Sequence, residues 1–159
     1  MMMLGSKEDK RLTMAQLISK RMVVGLSAQG GDVRSVELPA ALDDAGARAL
    51  LDREQASRLM TVRLNDWHFD VNSSWVGRFQ FNTDAMITVQ TEGGTVMSEQ
   101  YAERQAIQAR GEDSAINQIL QAYRAKMEQI LNDPDLRGAL TTPPPVEVAP
   151  AEAASAPML

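Results

Sequence analysis

The chain has one histidine, His68, and it sits between two aspartates in the run Asp66-Trp67-His68-Phe69-Asp70. Side chains alternate along a β-strand, so Asp66, His68 and Asp70 would project from one face. Two carboxylates and an imidazole are a donor set for a divalent cation. A bend in the strand at Asp66 would weaken that shared face. The plainer reading is a solvated strand face opposite Trp67 and Phe69, and it is preferred; no metal site is assigned. A Ser-His-Asp apparatus would also have only His68 as its base. Glu99 and Glu103 form a second pair. Four residues apart on a strand they share a face, and paired carboxylates can perform glycosidic acid–base chemistry. No aromatic sugar platform accompanies them, and strand surface charge explains them more simply.

Other chemistry lacks its motifs. Neither G-x-x-x-x-G-K-[ST] nor G-x-G-x-x-G occurs, and neither does G-x-S-x-G or H-E-x-x-H. The absence of cysteine excludes disulfides, thiolate metal sites and a cysteine nucleophile. The expectation is a protein that is not an enzyme, with no catalytic, cofactor-binding or metal-ligating residue. Asn72-Ser73-Ser74 matches a glycosylation sequon, a match common by chance. Trp75, just after that turn, is the one candidate partner-contact residue. It equally suits a cap on the end of the core. The net charge of −5 argues against a nucleic-acid partner, because phosphate binding needs a basic footprint. The basic stretch containing Lys7, Lys10, Arg11, Lys20 and Arg21 reads as a solvated helix face. No apolar run approaches the ~20 residues that span a bilayer, so no membrane span is expected.

The elements that position these residues follow from periodicity. At 159 residues the chain fits one domain able to bury its own core. Aromatics are few, at 4%, and methionines number ten, so aliphatic and Met side chains must fill that core. Leu12, Ala15, Ile18, Met22 and Leu26 recur at helical steps and predict a helix over 12–29, stopped by Gly30-Gly31. A short strand is expected over 32–38, with Val33 and Val36, ended by Pro39. A second helix is expected over 42–58, with small positions at Ala45, Ala49 and Ala56, Leu50 and Leu51 as its larger apolar residues, and Asp43 and Asp44 at its positive end.

The clearest strand begins at Leu59. Met60, Val62 and Leu64 alternate with polar residues; then the apolar phase switches to Trp67, Phe69 and Val71. A period of two can change face only through an inserted residue or sharp twist, which places a bulge or bend at Asn65-Asp66. After a turn at 72–74, a strand over 75–92 carries Phe79, Phe81, Ala85, Ile87 and Val89 on one phase. Glu92-Gly93-Gly94-Thr95 signals a hairpin. The return strand, 95–104, is polar enough to lie near an edge or to have one wet face. Ile116, Ile119, Leu120, Tyr123, Met127, Ile130 and Leu131 form a nearly complete helical stripe. That helix would be capped by Asp113 or Ser114 and ended by Pro134. The reading is an α+β fold: an antiparallel meander of three long strands plus a short strand, packed against two or three helices. It assigns 1–11 to a flexible N-terminus, 12–140 to a single α/β domain and 141–159 to a disordered Pro/Ala-rich tail.

This order of elements resembles the YajG-like small lipoproteins of the Gram-negative envelope. The resemblance lies in the helix ending at a glycine before Asp32-Val33, the strands LMTVRLNDWHFDV and TDAMITVQTEGG, the polar return strand, and SAINQILQAYRAKMEQIL. It covers roughly 12–140. It implies a periplasmic or outer-membrane-associated location, a lipid anchor on an N-terminal cysteine, and no known enzymatic activity. The chain departs from that pattern: it has no cysteine, lipobox or signal peptide, and no strand before the first helix. The expectation is that Met1 lies downstream of the natural start, with an upstream in-frame segment encoding an apolar region and a cysteine. The functional expectation is an envelope-associated, non-enzymatic binding or scaffolding protein. The alternative is a cytoplasmic or virion structural subunit assembling through a strand edge, which the literal start and the polar return strand favour. A third reading is an enzyme centred on Asp66, His68 and Asp70.

Overall fold

The computed structural model of the chain describes residues 11–38, 40–71, 78–108 and 115–141. The candidate contact residue Trp75 lies outside them. So do the turn at 72–74, the cap at Asp113 or Ser114, the segment 1–10 and the tail 142–159. The described residues form an α+β fold with helices α1 (Met14–Ala28) and α2 (Asp44–Glu54), strands β1 (Leu59–Val71), β2 (Arg78–Thr91) and β3 (Gly94–Gln108), and helices α3 (Ala115–Leu131) and α4 (Pro134–Thr141). The sheet is an antiparallel meander in the order β1-β2-β3.

Local chemistry accounts for the ends of these elements. Thr13 caps α1 through a reciprocal pair of bonds with Gln16: each side chain reaches the other residue's backbone N–H. Gly30 follows the last turn of α1 with φ of 93°, and the Gly31 N–H returns to the Leu26 carbonyl. A side chain there would be strained, which is why a glycine ends this helix. The Asp43 Oδ1 accepts from the Gly46 N–H at 2.8 Å and starts α2. A two-residue loop, Glu92-Gly93, joins β2 to β3; Gly94 has φ of 112°, and Thr91 Oγ1 accepts from the Gly93 N–H.

The central strand carries the core. Ile87 and Val89 of β2 pack with Ile18 and Met22 of α1, Tyr101 of β3, Met127 and Ile130 of α3, and Leu136 of α4. A second cluster joins Phe81, Ile107 and Ala122, with Trp67, Phe69 and Phe79 against it. In α2 the buried residues are Ala47, Leu50 and Leu51.

Two elements differ from the sequence reading. Residues 32–38 form no ladder and are not a strand. Their bonds go through side chains instead: Ser35 Oγ to Ser19 Oγ at 2.8 Å, Glu37 to the Gln16 amide, and Arg34 Nη2 to the Glu54 carbonyl at 2.6 Å. The segment therefore straps α1 to the end of α2. The second difference follows α3. Pro134 does end that helix, but it also opens α4. Asp133 Oδ1 accepts from the N–H groups of Asp135 and Leu136, at 2.9 and 3.1 Å, and its carbonyl accepts from Arg137. Proline suits the first helical position, where its missing N–H would have had no partner. At the far end, Arg58 Nε donates to the Leu140 carbonyl at 2.8 Å and ties α4 to the start of β1.

Candidate functional site

The bulge in β1 decides where its titratable groups go. Leu64 pairs with Ala85 and Asp66 pairs with Asp84, so Asn65 is the inserted residue. Up to Leu64 the even-numbered residues face the helices; after Asn65 the odd-numbered ones do. Trp67 and Phe69 thereby turn inward. Trp67 meets Phe81 edge-on at 5.6 Å and Tyr123 at 6.0 Å, and Phe69 stacks on Phe81 at 4.1 Å. The insertion precedes Asp66, so Asp66, His68 and Asp70 do share the opposite face. The expected bend does not separate them.

On that face His68 is clamped from both sides. Its Nδ1 meets Asp66 Oδ1, and its Nε2 lies 3.3 Å from Asp70 Oδ2. Asn82 on β2 pairs with His68 across the sheet and donates to Asp70 Oδ2 at 2.7 Å. Asp66 and Asp84 are direct cross-strand neighbours, a repulsive arrangement. Each is turned to a different partner: Asp66 to His68, and Asp84 to the amides of Asn65 and Gln100, at 3.2 and 2.8 Å. The two carboxylates lie at opposite edges of one imidazole. The two carboxylates therefore bracket the ring instead of converging with it on a shared point, which is ion-pair geometry.

The hydrogen bond from Asp66 is the largest influence on His68 and raises its pKa above the ordinary value; the charges of Asp66 and Asp70 add to it, and desolvation opposes it. A histidine pKa raised in the folded state adds stability that is fully present below the unfolded pKa of about 6.5. That stability is lost as pH rises through the folded pKa. An NMR titration of His68 is expected to give a pKa above that value. Asp66→Asn should lower it more than Asp70→Asn. An equal response to both would contradict the dominance of Asp66.

Glu99 and Glu103 share a face as expected, but it is the face turned toward the helices. Glu103 pairs with Lys126 of α3 at 2.8 Å, and Lys126 also donates to Gln129 at 3.1 Å. Lys126 is 6% exposed, a buried charge within the apolar stripe of α3. Glu103→Ala should cost about 1–2 kcal/mol in urea unfolding. That is less than the ~3–5 of a fully buried pair, because Glu103 is 47% exposed. Lys126→Met, which keeps the aliphatic stem, should change stability by less than about 1 kcal/mol. Equal losses for both variants would contradict this asymmetry.

Glu99 approaches Asp133 and Asp135, with ligand oxygens within 4.8 Å of one another. Tyr101 donates its hydroxyl to Glu99 Oε2 at 3.3 Å. Burial, then the charges of Asp133 and Glu99, push the Tyr101 pKa far up, so it stays a donor. Asp133 is meanwhile engaged in capping α4. An open cleft of about 1080 Å³ lies between α1, the 32–38 strap, the first half of β1 and α4; Ile18, Met22, Val33, Met60 and Val62 are among its walls. Among the described residues no helix is long and apolar enough to cross a membrane. No family model matches the chain, and no curated protein matches it.

Proposed function

We propose that the protein is a non-enzymatic binding or scaffolding protein of the Gram-negative cell envelope. The observation that supports the binding half is the solvent-open face of the sheet. Arg63, His68 and Asp70 of β1, Gln80 of β2, and Gln100 and Arg104 of β3 are exposed there. The acidic groups on that face are already held by His68, Asn82, Asn65 and Gln100. A surface whose polar groups are fixed before contact loses little side-chain entropy on binding, which suits recognition. The envelope half rests on the resemblance to YajG-like lipoproteins.

The test is fractionation and pull-down of the native gene product, tagged at its C-terminus. The expected result is recovery from the envelope with a partner whose capture falls when Arg63 on the open face is reversed, Arg63→Glu. Recovery of a partner from cytosol alone, or envelope capture indifferent to Arg63→Glu, would overturn the reading.

A further inference from the structure

We propose that the chain's own segment Met1–Leu4 docks in the open cleft beside the free edge of β1. The inference goes beyond the proposed function and holds wherever the protein resides.

The first support is the state of that edge. β2 pairs with one side of β1, and among the described residues no backbone hydrogen bond reaches the other. Unpaired edges are normally guarded by proline, lysine, bulges or inward-pointing charges. The opposite edge, β3, has such a guard in its inward Glu99 and Glu103. Over 59–64 β1 contains neither proline nor lysine, and the residues it turns inward are the partly buried Met60, Val62 and Leu64. Its bulge comes only after this stretch. Leu59, Met60, Thr61 and Val62 all line the cleft. Consecutive strand residues point to opposite faces, so the cleft runs along the edge of β1 and not only over one face.

The second support is the opposite wall. Leu12 and Leu26 of α1, Val33 and Leu38 of the strap, and Leu140 of α4 stand around about 1080 Å³ of open space, and none of them is fully buried. A contiguous apolar surface of this kind marks a place that another group covers.

The third support identifies the occupant. Leu12 and Thr13, where the chain enters α1, belong to the wall of the cleft, and residues 1–10 lead directly to them. Met1–Leu4 are four consecutive apolar residues, followed by Gly5-Ser6-Lys7-Glu8-Asp9-Lys10. An apolar run of that length is out of place in water, and methionine fits irregular gaps. Six intervening residues reach up to about 20 Å, long enough to cross the cleft. The C-terminal segment also starts at the rim, at Leu140 and Thr141. It matches less well. Pro143, Pro144 and Pro145 have no N–H to offer a strand edge, and Glu147 interrupts Val146 and Val148.

The test uses the full chain with Val62→Cys, its sole cysteine, as a reporter inside the cleft. A thiol reagent should modify it at least about tenfold more slowly than in the same chain carrying Met3→Asp and Leu4→Asp, because carboxylates against apolar walls open the docked segment. Leu4→Ser alone, a milder change, should give an intermediate rate. A single cooperative urea transition in each variant shows that the rate reports the cleft and not a lost fold. Deletion of 142–159 and dilution should both leave the rate unchanged. Equal rates with and without the two aspartates would overturn the proposal. So would acceleration on deleting 142–159, which makes that segment the occupant, or acceleration on dilution, which makes it a second copy.

Discussion

Phe81→Ala is expected to destabilise the protein by about 3–5 kcal/mol. Phe81 is 2% exposed and lies near the start of β2, stacked on Phe69 and meeting the edge of Trp67. Truncation removes the ring's transfer free energy and leaves a cavity that neighbours on three strands cannot close by moving together. It also removes two aromatic contacts, each worth about 0.5–1.5 kcal/mol beyond area. A domain's whole stability is about 5–15 kcal/mol, so the loss is a large fraction of it. Urea unfolding followed by tryptophan fluorescence measures it directly, since Trp67 touches the site. A loss below about 1 kcal/mol would mean that the sheet end near Phe81 is not packed as described.

Leu136→Ala should cost about 2–5 kcal/mol, although Leu136 lies beyond a helix-ending proline. Its side chain is fully buried, at 0% exposure, in the cluster with Ile87, Val89 and Ile130. α4 is only eight residues long and has little stability of its own. Its place in the fold depends on Leu136 with Ala139 and Leu140 beside it, on the Asp133 cap and on the Arg58 bond to its last turn. Pro134→Ala, at an exposed first-turn position, is the control and should change stability by less than about 1 kcal/mol. Comparable effects for the two variants would mean that α4 does not seal the core.

The sequence also showed how its chemistry-bearing residues are spaced, and the structure decided what that spacing means. Asp66, His68 and Asp70 were legible as one face of a strand, because alternation is a backbone property. Whether they chelate or pair was not legible, because it depends on where the ring nitrogens point. Glu99 and Glu103 were legible as a pair on one strand face. The structure turns them toward the helices, where the half-exposed Glu103 meets a buried lysine that descends from the facing layer. That partner, Lys126, sits in a helical stripe otherwise read as apolar. Its one signal was its position seven residues after Ile119, on the same helix face.

Sequence alone determined the three long strands, their meander, the bulge near Asn65, the Gly-Gly hairpin and the stripe of α3. Each of these is set by local periodicity or by a residue whose backbone freedom a turn requires. Tertiary structure alone decided the rest. Residues 32–38 carry the β-branched Val33 and Val36 of a strand but form no ladder, and they strap two helices through side chains. Pro134 reads as a stop in either case; only the cavity that Leu136 fills makes it a start as well. The burial of Lys126 likewise depends on groups far apart in sequence, Glu103 and Lys126, meeting across layers. Local pattern specifies which face a residue takes. It cannot specify what waits on that face, because that is a property of the assembled core.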